Sequence, residues 1–275
     1  MSRRLFWLAL FLAAAIAFLF LLLPLVAIFA RVPPGKLIGQ LGDRVVLDAF
    51  VVSLKTNAIA ELLILAVGTP TAYLLASRRF RGRSLALTLI ELPLVLPPAV
   101  AGIGLFAAFG RLGLLGSTLD AAGIEIPYTQ AAVVMAITFV ASPFYLRQAV
   151  AAFEAVDRNL IDASRTLGAS PARTFARVAL PLAAGGLGAG AALALARGIG
   201  EFGATIMFAG NLQGLTQTLP LAIYAEFNRS FDVALTIGAL LVAVSAALLI
   251  TLKALPLWLR SDSTSLFPSA RFRSS

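Results

Sequence analysis

The feature that most constrains this chain is its first apolar run. Behind Arg3 and Arg4, residues Leu5 to Ala30 contain no charged and no hydrogen-bonding side chain other than the indole of Trp7. A helix crosses a hydrocarbon core with about 20 apolar residues, and this run exceeds that. A secretory signal has a shorter apolar part, about 7–15 residues, and ends in a small-x-small cleavage site. Neither description fits, so an uncleaved spanning helix is expected over 5–30. Five further stretches qualify, at about 49–76, 85–109, 129–150, 182–209 and 233–259. The composition agrees: 60% of residues are hydrophobic and 13% are charged, where a soluble domain carries about 25% charged residues. The expected fold class is therefore all-α integral membrane, with six transmembrane helices in a single domain spanning 1–275. No internal repeat or low-complexity linker divides it.

Orientation follows from the basic residues. With the N-terminus inside, the inner segments hold Arg3, Arg4, Arg78, Arg79, Arg81 and Arg83. They also hold Arg147, Arg158, Arg165, Arg173 and Arg177, then Lys253, Arg260, Arg271 and Arg273. The outer segments keep Arg31, Lys36, Arg44, Arg111 and Arg229. Cytoplasmic loops carry the Lys/Arg excess, so both termini are expected to be cytoplasmic. The net charge of +9 then reflects topology and attraction to the lipid bilayer, not nucleic acid. The chain has no cysteine and no histidine, which removes disulfides, thiolate chemistry, most zinc sites and the usual neutral-pH base. No metal site and no catalytic residue is expected.

The long inner connection, 151–181, is itself helix-forming. Residues 151–167 have helical composition, and Gly168 can supply a left-handed stop. Ser170 is a good N-cap with Pro171 at the first helical position. Two short amphipathic helices at the membrane surface are expected, of a kind suited to docking in another protein's groove. A plain surface loop is the alternative on composition alone. Within this connection, Asp162-Ala163-Ser164, then Gly168, then Val178-x-Leu180-Pro181 resembles the signature loop of importer permeases of the ATP-binding-cassette (ABC) class. There the pattern reads Glu-Ala-Ala, Gly, Ile-x-Leu-Pro at the same separations; this chain departs at Asp162, Ser164 and Val178. The resemblance implies a type I ABC importer permease fold whose loop docks a separate ATPase.

A second resemblance is narrower. Gly200-Glu201-Phe202-Gly203-Ala204-Thr205, Ala209-Gly210-Asn211 and the segment from Gly214 to Tyr224 look like the permease of molybdate importers. Leu92 to Pro98 and Phe109-Gly110-Arg111-x-Gly113 do so as well. Sulfate and thiosulfate permeases are close relatives and share the Glu-Phe/Tyr-Gly element. The family resemblance implies import of a tetrahedral oxyanion, molybdate or tungstate, across a cell (inner) membrane. It also implies a homodimer, two ABC ATPase subunits on the cytoplasmic side and a periplasmic or extracellular oxyanion-binding protein. ATP and Mg would sit on the ATPase. The chain's three lysines, Lys36, Lys55 and Lys253, do not complete a G-x-x-x-x-G-K-[ST] phosphate loop, so no cofactor is expected on this chain and it is not expected to be an enzyme.

Charges inside spans are costly and face a protein interior or water. Arg197 and Glu201 are four apart and can pair on one face of the same helix; a structural pair and a role at the anion pathway both remain open. Gly203, Thr205, Pro97 and Pro98 complete the pathway candidates. Pro93, Pro97 and Pro98 must bend or break the third helix, and broken helices near a midplane often border transport sites. The small residues Gly186, Gly190, Ala194 and Gly198 recur every four positions and suit close helix packing. Lys55 is expected to snorkel, and Glu61 and Glu91 to serve in packing. An ion-coupled secondary transporter, with Glu61, Glu91, Glu201 and Arg197 as a relay, is an alternative that leaves the 162–181 pattern unexplained.

Overall fold

The computed structural model describes residues 3–261, and every regular element among them is helical. Arg271 and Arg273, assigned above to the inner side, lie outside the described residues. The first run forms α1 (Arg3–Arg31). A short α2 (Pro34–Gln40) leads to α3 (Arg44–Ser77), whose first turn is closed by the Asp43 carboxylate accepting from the Val45 N–H at 3.3 Å. Then come α4 (Arg83–Val95), α5 (Pro98–Phe109), α6 (Gly116–Ala121) and α7 (Gln130–Glu154). Next, α8 (Arg158–Thr166) and α9 (Pro171–Thr174) precede a π-helical turn, Phe175–Ala179, that runs directly into α10 (Leu180–Ile199). Finally come α11 (Gly203–Ala209), α12 (Leu219–Phe227) and α13 (Phe231–Ser261).

Five of these helices are long and apolar enough to cross a membrane, and the α4/α5 pair makes a sixth candidate, bent by 114°. The expected stretch 85–109 is thus not one straight rod. Leu96 (φ −69°, ψ 132°) and Pro97 (φ −54°, ψ 132°) are both extended. Each precedes a proline, whose Cδ disfavours the helical conformation in the residue before it. Pro93 stands inside α4 without ending it.

The expected stretch 182–209 is distributed differently as well. Its helix begins eleven residues earlier, because Pro171 to Ile199 is continuous over 29 residues, and it stops at Ile199. Ser170 therefore caps the start of this long helix rather than a separate short one, so the two surface helices expected after 150 reduce to one, α8. Nothing before Pro181 stops a helix, and Pro181 itself is absorbed. The π turn lets the Leu180 N–H reach the Phe175 carbonyl, five residues back. Wide turns of this kind occur as single bulges inside α-helices.

The core is organised around α7, which packs against α3 on one side and α10 on another. Tyr145 of α7 lies between two glycines. A Cβ on Gly68 of α3 would stand 2.8 Å from its ring, and one on Gly190 of α10 3.2 Å from the opposite edge. Its hydroxyl donates to Thr69 Oγ1 (2.6 Å), which in turn donates to the Leu65 carbonyl (2.6 Å). A Cβ on Gly186 would lie 2.5 Å from that of Ala152, and one on Gly198 2.7 Å from Asn57 Oδ1. The small-residue stripe of α10 is thus a packing face. Lipid offers no hydrophobic gain for helix association, so close backbone approach supplies it through van der Waals contact.

Candidate functional site

Two clusters stand at the two ends of the Pro171–Ile199 helix. At the first end, α8 opens with Asp157 accepting from the Asn159 N–H at 2.9 Å. It closes at Gly168, which adopts φ +82°. No heavy atom lies within 4 Å of where a Cβ would sit, so only backbone strain, not crowding, selects glycine there. The Ser170 side chain accepts from the Arg173 N–H at 3.3 Å. Ser164 Oγ and Thr174 Oγ1 share a hydrogen bond of 2.9 Å, which ties α8 to the foot of the long helix, and Thr174 is fully buried. Beneath it, the Phe175 ring lies 4.7 Å from Tyr73 of α3, and Tyr73 lies 5.3 Å from Phe153 of α7.

The outward side of α8 is left open. Asp162, Ala163 and Gly168 are exposed, Leu167 is 88% exposed, and Leu160 is about half exposed. Asp162 has Arg165 at 3.9 Å, both of them well solvated. Such a pair contributes little to stability, so the carboxylate is free to meet something else. Val178 lies half-buried in the π turn, while Leu180 and Pro181 are in the first turn of α10. The residues of the 162–181 pattern therefore divide between α8, its stop and the start of the long helix.

At the second end the chain breaks at Gly200–Phe202. Glu201 consequently lies beyond the helix that carries Arg197, not on its face as expected. The pair forms nonetheless, with Arg197 Nη2 2.6 Å from Glu201 Oε2. The other carboxylate oxygen accepts from the Ala204 N–H at 2.7 Å, in the first turn of α11. Glu201 is 2% exposed. Its carboxylate joins the end of one helix to the beginning of the next, and Arg197 sits where a helix C-terminus favours a cation.

The other break adjoins this one. A Cβ on Gly203 would lie 2.8 Å from that of Pro98, and one on Gly102 would lie 2.6 Å from the Ala204 carbonyl. So α5 and α11 cross in backbone contact, and Pro97–Pro98 meets Gly203. Thr205 is fully buried and its hydroxyl has no hydrogen-bond partner among the described residues. Of the pathway candidates, the structure brings Arg197, Glu201, Gly203 and Pro98 into one cluster, and Pro97 and Thr205 are chain neighbours of it.

Of Glu61, Glu91 and Lys55, only Glu91 finds an ionic partner among the described residues. Glu91 of α4 lies 3.7 Å from Arg147 of α7. Glu61 faces an apolar cavity of about 380 Å³ beside Asn57 and Leu195, and Lys55 is exposed. Thr218 occupies the N-cap position of α12 without capping it. Ser53 of α3 takes that role, accepting from the Leu219 N–H at 2.8 Å. Sequence reasoning missed Ser53, the Tyr73–Phe153–Phe175 aromatic group and the Gly102 crossing. The only signal for the last was a glycine in an otherwise continuous apolar run.

Residues 68–256 match the family described as binding-protein-dependent transport system inner membrane component. The molybdenum transport system permease protein ModB of Mycobacterium bovis is 43% identical over 236 residues, covering 86% of this chain and 89% of that protein. The sulfate transport system permease protein CysW of Synechococcus elongatus is 34% identical over 208 residues, covering 74% of this chain and 73% of that one. Among solved structures, a chain of a bacterial alginate ABC transporter superposes with a TM-score of 0.73 at 14% identity, covering 91% and 93% of the two chains.

Proposed function

We propose that this chain, which belongs to the family of binding-protein-dependent transport system inner membrane components, is the permease of an ATP-driven importer of molybdate. The observation that carries the substrate is the 43% identity to a molybdenum permease across most of both chains, against 34% to a sulfate permease over a shorter stretch. It is a protein of the inner membrane, and its apolar helices span that membrane. The test is uptake of labelled molybdate and labelled sulfate in proteoliposomes carrying the full importer with its binding protein. Molybdate accumulation that excess sulfate does not suppress is expected. ATP-dependent sulfate accumulation indifferent to molybdate would move the chain to the sulfate branch.

We infer the arrangement of the importer around it as well. The single domain has six spans, the bent α4/α5 pair serving as the third, with both termini cytoplasmic. Two copies form the permease, two ATPase subunits with ATP and Mg sit inside, and an oxyanion-binding protein sits outside. The exposed face of α8, with Asp162 and Ala163, docks the ATPase. The Ser164–Thr174 hydrogen bond and the aromatic group beneath it carry motion of α8 into the Pro171–Ile199 helix. That helix ends at the Arg197–Glu201 pair, beside the two breaks that border the anion path. Gly168→Val should abolish uptake while the permease still inserts, because a β-branched residue is strained at φ +82°. Full uptake by that variant would remove the docking assignment. An impermeant thiol reagent should leave Ser170→Cys unlabelled in intact spheroplasts; labelling would invert the topology.

A further inference from the structure

The basic corner where α3 turns into α4 is not used by any of this. A cavity of about 210 Å³ opens there, walled by Arg79 and Arg83 from the turn, Glu154 from the end of α7 and Arg158 from the start of α8. Arg83 is already committed. Its Nε donates to the Leu75 carbonyl at 2.6 Å and its Nη2 to Glu154. That bond consumes the one acidic group in the wall. Arg79 and Arg158 have no hydrogen-bond or ion-pair partner among the described residues. Two guanidinium groups thus face a concave space with no counter-charge left in its lining.

A second cavity, of about 180 Å³, shares Ala76, Glu154 and Arg158 with the first. Its wall is mixed: Tyr73, Phe153, Val156 and Ile161 line it together with Ser77 and the Asp162–Arg165 ion pair. In the combined groove Glu154 is paired with Arg83 and Asp162 with Arg165, which leaves Arg79 and Arg158 unpaired at one end and an aromatic and aliphatic wall beside an ion pair at the other. The chemistry that fits the cationic end is a tetrahedral oxyanion, for which guanidinium offers paired donors. A free anion would leave the Tyr73, Phe153, Val156 and Ile161 side of the wall uncovered, whereas an amphiphile covers it as well. The turn also carries Phe80, 45% exposed, between Arg79 and Arg81, an apolar ring at the edge of the spanning helices. Basic pockets between spanning helices at the cytoplasmic surface suit phospholipid headgroups.

We infer that this groove binds an anionic phospholipid, its phosphate on Arg79 and Arg158 and its glycerol-acyl part against Tyr73, Phe153 and Ile161. Since the groove is walled by the first residue of α8 and by two rings of the aromatic group under the long helix, occupancy bears on the element proposed to dock the ATPase. The inference rests on the inward orientation proposed above, whose thiol-labelling test is separate, so the two can fail independently.

The experiment is native mass spectrometry of the assembled permease–ATPase complex, released from phosphatidylcholine nanodiscs with or without phosphatidylglycerol. The unaltered complex should retain phosphatidylglycerol. Arg79→Gln with Arg158→Gln should weaken retention about 30-fold, at the strength of two surface arginines. Arg44→Gln with Arg229→Gln, an equal charge change at the other side, should not weaken it. If the double variant does not assemble, Arg79→Gln alone should weaken retention about 5-fold. Equal retention by variant and unaltered complex, or equal loss in the control, would overturn the site. Displacement of the lipid by millimolar phosphate or molybdate alone would assign the groove to a free oxyanion and overturn the lipid.

Discussion

The first and third of the five long helices, α1 and α7, are both long and apolar enough to span a membrane yet live in opposite surroundings. Helix α1 is the more apolar and buries none of its residues within the protein. Helix α7 is the least apolar of the five long helices and the most enclosed, with 56% of an 18-residue stretch buried. In a soluble chain the ranking would be reversed, because water drives the greasiest segment inward. Here lipid already solvates leucine and phenylalanine, so extreme apolarity marks a helix that faces lipid. The helix that organises the bundle is instead marked by small residues and by the hydrogen-bonded Tyr145.

This contrast can be broken at four places, in descending order of expected effect. Removing one partner of the Arg197–Glu201 pair strands a charge where helix ends converge, so Glu201→Ala should cost about 3 kcal/mol in an SDS unfolding titration. The double change Arg197→Ala with Glu201→Ala should cost less than either single change. A double variant as unstable as the single ones would mean that the carboxylate matters mainly as the acceptor of the Ala204 N–H. Next, Gly190→Val forces a side chain against the Tyr145 ring, and overpacking there should cost about 2 kcal/mol. Should the variant unfold like the unaltered protein, the closeness of α7 and α10 is not what holds the bundle.

Smaller effects sharpen the contrast further. Tyr145→Phe deletes one buried hydrogen bond to Thr69 and should cost about 1 kcal/mol in the same titration. On α1, Leu12→Ala and Leu19→Ala remove large side chains that are 61% and 66% exposed to what the bilayer supplies. Each should shift unfolding by less than about 0.5 kcal/mol, as for substitutions away from packed contacts. A cost comparable to that of Gly190→Val would mean that α1 packs against protein rather than lipid.

The sequence made the helices legible to the extent that length and apolarity define them. The first, second and fourth stretches correspond to α1, α3 and α7 within a few residues. The breaks were legible unequally. Pro97–Pro98 announces itself, since two successive pre-proline residues both disfavour the helical conformation. The break at Gly200–Phe202 lies in a run of small and apolar residues that reads as helix throughout, and what ends α10 there is a buried carboxylate bridging two helix ends. The early start at Pro171 was obscured because Pro181 looks like a boundary, and only the π turn removes its force. For the site, Gly168 and Ser170 could be read locally, since a stop and a cap depend on near neighbours. The Ser164–Thr174 bond and the meeting of Pro98 with Gly203 depend on contacts that no local pattern encodes.

One helix connects the 162–168 corner to the Glu201 junction without interruption, and its length has a simple geometric result. At about 1.5 Å per residue, 29 residues make a rod of about 43 Å. Pivoting such a rod by about 10° at one end sweeps the other through about 7 Å, wider than the separation of two packed side chains. The π turn sits within the first third of the rod, where an altered hydrogen-bond register changes its aim without shortening it. A modest angular displacement at the foot would thereby be magnified toward the junction where Gly203 meets Pro98.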